Sequence, residues 1–241
     1  MRLFREIGGT TDNVILPLFD LGDKGVGNES VVSFGVIDKA IQRDVTTTLP
    51  CINSSSLKGA VKEFLTEELH FDEKKIVGLF GSVKNGKTSD TQKGGAIFFD
   101  ANLLYLPKSI TNNTNEVYQL VYCDEVINDF VEKTKVLGFD GGKEMIESKL
   151  NELFSGTKKS TSEDDFKNLC NDESLPIIAR NCLDNGESVN LWYEQVLPSK
   201  SVLAVIIATP NQNDLDVLDG KIVQIGANAT IGYGYCKFVK L

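Results

Sequence analysis

The chain has 241 residues, 41% of them hydrophobic and 24% charged, with a formal net charge of -9. That length allows one large domain or two small ones with a proper core, and the composition excludes global disorder. The acidic balance argues against a free-standing nucleic-acid binder, which is normally basic, but leaves room for a local basic strip inside an assembly.

No stretch approaches the roughly 18–20 consecutive apolar residues that cross a bilayer, and the polar start MRLFREIGGT does not read as a signal peptide. The cysteines Cys51, Cys123, Cys170, Cys182 and Cys236 are scattered, with no CxxC pair and no neighbouring His. Neither a disulfide framework nor a zinc site is indicated. The expectation is a reduced, cytoplasmic protein with no membrane partner.

Val14 to Asp20 reads as a first strand, and Leu21 to Ser33 as a Gly-rich, charged loop. The next stretch, GVIDKAIQRDVTTTLPCINSSSLKG from Gly35 to Gly59, holds the densest group of polar candidates. Its loop carries Asp38, Gln42 and Arg43. Asp44 to Ile52, rich in Thr and Val, reads as extended, and Ser54 to Ser56 lead into an apolar-periodic run. Ser there is the expected N-cap, because its hydroxyl accepts a bond from an orphaned backbone N–H. A helix start so built, flanked by Lys58 and Lys62, can receive an anion such as a phosphate diester. Leu57, Val61, Phe64, Leu65 and Leu69 share one helical face, which is expected to pack on a sheet. Read locally, Asp38 is a metal ligand, a general base or a loop-capping residue.

A short helix over Glu73 to Phe80 ends at Gly81. Gly81-Ser-Val-Lys-Asn-Gly86-Lys87-Thr88 then satisfies the P-loop pattern G-x-x-x-x-G-K-[ST]. A working P-loop needs a strand before it and a helix after it, so that N–H groups and the helix dipole cradle phosphates. The flanks here read as helix before and strand after, so the segment is expected to be a basic loop. The single histidine, His70, lies at a helix end beside Phe71 with no partner for a triad or a metal site. Catalysis would have to use carboxylates, Lys, Tyr, backbone amides or a borrowed metal ion.

Gly94 to Tyr105 reads as strand, turn and strand, and Val117 to Cys123 as a further strand. Asp124 to Leu169 is mostly helical, with a mobile surface interruption expected around Gly156 to Ser162. Pro176 to Val196 reads as a long hairpin turning at Asp184-Asn185-Gly186. Val202 to Thr209 is a buried strand, Asn213 to Leu218 a short helix, and VQIGANATIGYGYCKFVKL a strand, a Gly-rich loop and a strand. The loop Gly226 to Gly234 suits either close backbone approach to a phosphate or a tight turn between core strands. This order points to an α+β fold with an antiparallel sheet, which ferredoxin-like halves would accommodate.

The order of the segments carries a resemblance. GVIDKAIQRDVTTTLPCINSSSLKGAVKEFL resembles the pattern GxxDxPIxRexxTxxPxIxGSSLKGxxR of the RAMP superfamily. LFGS with GGAIFFDANLLYLPKSI, NLWYEQVLPSKSVLAVIIATP and VQIGANATIGYGYCKF are similar to its later segments, in the same order. The likeness is greatest to the backbone subunits of type III-B (Cmr) CRISPR effector complexes, and next to the Csm-type backbone subunit. It implies a single domain over residues 1–241: a ferredoxin-like (RRM-like) palm, a helical insertion at about 124–170 and a thumb hairpin at about 175–197. It also implies copies stacked along a CRISPR RNA, with paired target RNA cut at intervals by metal-dependent chemistry using Mg2+ or Mn2+. The implied partners are CRISPR RNA, target RNA, further copies of the chain and other subunits, including a large polymerase-like one. The catalytic and metal-binding position falls on Asp38, with Glu194 assisting. RNA contacts fall on Lys39, Gln42, Arg43, Ser55, Ser56, Lys58, Lys62 and Arg180. They also fall on Gly226, Asn228, Thr230, Gly232, Tyr233 and Gly234. The chain departs from the pattern in lacking a His between Leu16 and Gly25 and in carrying Lys62 where the family has Arg.

Overall fold

The computed structural model describes residues 13–15, 37–83, 91–110, 116–139, 142–211 and 213–241. Its strands are β1 (Asn13–Ile15), β2 (Cys51–Ile52), β3 (Gly81–Val83), β4 (Thr91–Lys93), β5 (Ile97–Phe98), β6 (Ala101–Ser109) and β7 (Tyr118–Cys123). They continue as β8 (Lys158–Thr161), β9 (Ile177–Asp184), β10 (Glu187–Gln195), β11 (Val202–Ala208), β12 (Ile222–Gln224) and β13 (Tyr235–Lys237). The helices are α1 (Ser54–Glu63), α2 (Glu73–Phe80), α3 (Asp124–Val136), α4 (Lys143–Leu153) and α5 (Glu163–Leu169). A π-helical turn, Phe64–Glu68, extends α1.

The main sheet runs β1-β11-β6-β7-β8, with β2 also paired to β6 and β5 to β11. Its pairs are antiparallel except β7 with β8. Every residue of β11 is buried. Its sequence VLAVIIA is apolar at each position because helices cover both faces of the sheet, whereas a strand with one wet face would alternate. On one face Leu103, Val121, Leu203, Val205 and Ile207 join a core with Leu57, Val61 and Leu65, with Ile76 and Leu79 of α2, and with Phe166 of α5. On the other, Leu104, Leu120, Val202, Ala204 and Ile206 join a core with α3 and α4 through Ile127, Phe130, Val131, Ile146 and Leu150. Each of the Val, Leu, Ile and Phe side chains among these contributes about 1.5–3 kcal/mol on burial. The described sheet therefore offers no open face to a ligand, and loops and the hairpin must do that work.

The hairpin forms as its sequence requires. Asn185 and Gly186 take φ of +50° and +88°, the left-handed pair that matches the twist of two antiparallel strands. Among the named strands β9 and β10 pair with each other, and the outer hairpin is exposed on both faces. It projects from the sheet as a finger.

The structure corrects several local expectations. Asp44 to Ile52 is not one extended segment: Asp44 Oδ1 accepts the N–H groups of Thr46 and Thr47 at 3.0 and 2.7 Å and the Thr47 hydroxyl at 3.0 Å, turning the chain. Only Cys51–Ile52 is strand. The N-cap of α1 is Asn53 rather than a Ser. The first N–H, on Ser54, donates instead to Asp100 Oδ1 at 2.6 Å, delivered there by the pairing of Ile52 with Ala101. Gly156 to Ser162 is no loose interruption, since Lys158–Thr161 is β8, parallel to β7. Asn213 to Leu218 contains a 3-10 turn, Asp216–Leu218, in place of a helix.

The P-loop match has its flanks reversed. Gly81, at φ +84°, stops α2 and starts β3, which pairs antiparallel with β4. Lys84 to Thr88 lie outside the described residues, as do Leu16 to Ser33.

Candidate functional site

Asp38 sits where the chain enters the base of the hairpin. Its N–H donates to the Tyr193 carbonyl at 2.9 Å, and the Lys39 N–H reaches the same oxygen at 3.1 Å. The Gln195 N–H then donates to the Lys39 carbonyl at 2.8 Å, so this segment runs as a short parallel rung beside β10, with Lys39 opposite Glu194. The Asp38 side chain is part of the same join: Tyr193 N–H donates to its Oδ2 at 2.7 Å. The residue is nevertheless exposed. It presents a carboxylate to solvent from a backbone held in register.

Glu194 is fully buried. Lys39 Nζ lies 3.4 Å from its Oε1, and the Trp192 indole N–H donates to that oxygen too. The Lys39 ammonium also stands 5.4 Å from the centre of the Trp192 ring. Trp192 and Glu194, two apart on a strand, share a face, so Lys39 closes a compact group with both. One oxygen of the buried Glu194 side chain, Oε1, is thus met by one cation and one strong donor.

Gln42 and Arg43 join the Asp38 loop to the start of α1. Gln42 Oε1 accepts the Asn53 N–H at 2.9 Å. Arg43 Nη2 pairs with Asp172 Oδ1 at 2.7 Å, and Nη1 donates to the Thr48 carbonyl at 2.9 Å. Asp172 also accepts from the amide of buried Gln195 through its backbone carbonyl at 3.2 Å. At the helix start Ser55 is exposed, Ser56 and Lys58 are half-buried, and Lys62 is exposed. Lys58 Nζ approaches the Ala96 carbonyl at 3.5 Å.

The closing loop meets the hairpin. Arg180 stands 5.5 Å from the centre of the Tyr233 ring and faces Trp192 across the hairpin. Gly226, Asn228, Gly232 and Gly234 all have positive φ, and Thr230 lies in a 3-10 turn between them. Asn228 Nδ2 is enclosed without a hydrogen-bond partner among the described residues. Thr230 and Gly232 are exposed, whereas Gly234 is buried against Ile225.

The structure therefore brings Asp38, Lys39, Glu194, Arg180 and Tyr233 together around the hairpin base, with the α1 group attached through Gln42. Trp192, Tyr193, Asp100 and Asp172 are the participants that sequence reasoning missed. Strand alternation in LWYEQ, which puts Trp192 beside Glu194, was the signal available for the first of them. No cluster of three His, Cys, Asp or Glu side chains suited to a metal occurs among the described residues. One exposed carboxylate fits Mg2+ only in the mode in which substrate phosphates and water complete the shell.

A family model for the RAMP superfamily matches residues 7–237. The chain belongs to the RAMP superfamily. This RAMP chain is similar to the CRISPR system Cmr endoribonuclease Cmr4 of Pyrococcus furiosus, at 26% identity over 266 residues, covering 86% of this chain and 89% of that protein. Its fold resembles the crystal structure of oligomeric Cmr4 from Pyrococcus furiosus, with TM-score 0.68, 20% identity, and 95% and 98% of the two chains covered. It also resembles a chain of the apo cryo-EM structure of type III-B Cmr-beta, with TM-score 0.71, 17% identity, and 95% and 96% covered. At those identities the likeness is one of fold. No helix among the described residues is long and apolar enough to cross a membrane.

Proposed function

We propose that this RAMP chain is the backbone subunit of a type III-B CRISPR effector complex, repeated along a CRISPR RNA, and that it cuts complementary target RNA at regular intervals. The observation that carries the reading is the exposed carboxylate of Asp38 locked in register with the base of a projecting hairpin. A nucleotide displaced by such a finger is splayed beside that carboxylate. Similarity to a Cmr endoribonuclease over most of both chains supports the same reading.

In this account Asp38 is the catalytic residue. Splaying the nucleotide lines up a ribose 2′ oxygen with the adjacent phosphorus and the departing 5′ oxygen, and that alignment lowers the barrier. Asp38 would accept the 2′ proton as the 2′ oxygen bonds to phosphorus and the 5′ oxygen leaves with a proton from water, or would help RNA oxygens hold a divalent cation. Mg2+ or Mn2+, held jointly with RNA oxygens, would neutralise charge developing on the phosphate. Ser55, Ser56, Lys58 and Lys62 hold the guide backbone at the start of α1, with Lys39, Gln42 and Arg43 lining the way to Asp38. Arg180, Tyr233 and the loop from Gly226 to Gly234 line the other side of the hairpin base. Backbone N–H groups and a helix terminus bind phosphates without net positive charge, which reconciles the acidic chain with an RNA ligand. Guide pairing supplies sequence choice, so the protein need only hold an A-form backbone.

The wider reading is of one domain over 1–241: a ferredoxin-like palm, a helical insertion at about 124–170 and a thumb at about 175–197. It works in the cytoplasm beside further copies and a large polymerase-like subunit. A second reading, a non-catalytic filament subunit, is favoured by one observation: an Asp38 oxygen is already engaged by Tyr193. Purifying the complex with its RNA and adding Mg2+ and complementary RNA tests both. A uniform guide and evenly spaced target fragments are expected. Target bound but never cut would select the second reading, and a complex without guide RNA would defeat both.

A further inference from the structure

Glu194 lies beside Asp38 in the hairpin base, yet it is fully buried and its Oε1 receives both Lys39 and the Trp192 indole. A side chain so enclosed and so bonded does not touch an RNA strand lying on the surface. It can still act through what it holds. The rung that sets Asp38 consists of backbone bonds from Asp38 and Lys39 to Tyr193, and from Gln195 to Lys39. Those are the residues on either side of Glu194 in β10 and its opposite number, Lys39, in the rung.

We infer that Glu194 is a positioning residue: by binding Lys39 and Trp192 together, it fixes the register in which Tyr193 orients Asp38. This inference rests on the functional reading above. In a parallel rung, a slip by one residue would move Asp38 to the other face and remove the Tyr193 N–H from its carboxylate. The cation and indole on Glu194 prevent that slip from the buried side, while Asp38 stays exposed on the outer side. The same geometry assigns Lys39 to the protein interior as much as to RNA, since half of its side chain is covered where it meets Glu194.

Trp192 is the chain's sole tryptophan, so its emission in the isolated full-length chain reports on this group alone. Single-turnover target cleavage in the rebuilt complex supplies the second readout. Glu194→Ala is expected to slow cleavage by about 100-fold, the scale of an ångström-sized misplacement. Target affinity and the limbs of the pH–rate profile should stay where the wild type has them, and Trp192 emission should move to longer wavelength. Glu194→Gln keeps an oxygen that accepts from indole and ammonium, so it should stay within about tenfold of wild type with unshifted emission. Lys39→Met keeps the stem over Trp192 but removes the ammonium, and should slow cleavage by about tenfold or more.

A Glu194→Gln complex as inactive as Asp38→Ala, with one limb of the pH profile lost, would overturn the inference by making Glu194 a direct proton carrier. Wild-type rates in Lys39→Met or Glu194→Ala would overturn it as well. Should Glu194→Ala fail to fold, Glu194→Gln and Lys39→Met still decide. A wild-type complex that never cuts, or an Asp38→Ala complex that cuts normally, would instead defeat the functional reading. The emission of the variants then still tests the pinning itself.

Discussion

The Tyr193 N–H donates to Asp38 Oδ2 at 2.7 Å across 155 residues of sequence, and the Tyr193 carbonyl accepts the Asp38 N–H at 2.9 Å. One residue of β10 thus holds both the backbone and the side chain of Asp38. The hairpin and the exposed carboxylate form one unit, and whatever orients the finger orients the carboxylate.

The exposure of that finger can be read chemically. Cys182 in β9 is exposed, while Cys51, Cys123, Cys170 and Cys236 are buried. Burial pushes the Cys170 thiol up to about 12, leaving little thiolate at neutral pH. Burial and then the bond to Glu125 also push Cys123 up. A thiol reagent at neutral pH should modify one cysteine quickly in the native chain, and Cys182→Ser should abolish that phase. A second fast thiol would contradict the described core.

The closing loop depends on one glycine more than on its neighbour. Gly232 and Gly234 both have left-handed φ, +84° and +77°. A Cβ at Gly232 would meet nothing within 4 Å, whereas one at Gly234 would lie 2.0 Å from the Ile225 carbonyl oxygen. Gly232→Ala should therefore cost about 1–2 kcal/mol, the left-handed penalty alone. Gly234→Ala should cost upward of about 3 kcal/mol, because backbone must move as well. Urea midpoints of the variants compare the costs directly, and equal losses would contradict this loop geometry.

The Asp44 turn predicts a pH dependence. Burial pushes the Asp44 carboxyl up, but the N–H groups of Thr47 and Thr46, the Thr47 hydroxyl and the charge of Lys133 together hold it below 3.8. A carboxyl depressed by folding adds stability that is full above its unfolded value and lost as pH falls through its folded one. Asp44→Ala should therefore cost about 1 kcal/mol at neutral pH, and the cost should shrink below about pH 3.9. Urea unfolding of both proteins at neutral pH and near pH 3 measures it. A cost that grows on acidification would contradict the assignment.

Much of this was written locally in the chain. The Asn185-Gly186 turn, the unbroken apolar run of β11 and the helical face of Leu57, Val61 and Leu65 each follow from short-range patterns, and the structure has all of them. The departures arose where a side chain or a distant strand overrode residue preference. Thr and Val favoured an extended segment after Asp44, but one carboxylate gathered three donors and turned it. Ser54 had a capping hydroxyl available, yet its N–H went to Asp100, brought by strand pairing from 46 residues away. Lys158–Thr161 lacks the apolar alternation of a strand, and its pairing with β7 supplies the order that its side chains do not. At the candidate site, resemblance supplied Asp38 and Glu194. The rung that joins them through Tyr193, and the burial that separates their roles, are tertiary facts with no periodicity to announce them.

In the proposed function, Asp38 performs the cut. Asp38→Asn tests it most directly, because an Asn oxygen can still accept the Tyr193 N–H and preserve the join to β10. The measurement is single-turnover cleavage of guide-complementary RNA by the complex rebuilt with this variant, alongside target affinity. The account predicts unchanged affinity and assembly, with cleavage at every interval reduced by about 10²–10⁴-fold, the scale of a lost general acid–base group. Evenly spaced cleavage at the wild-type rate would contradict it.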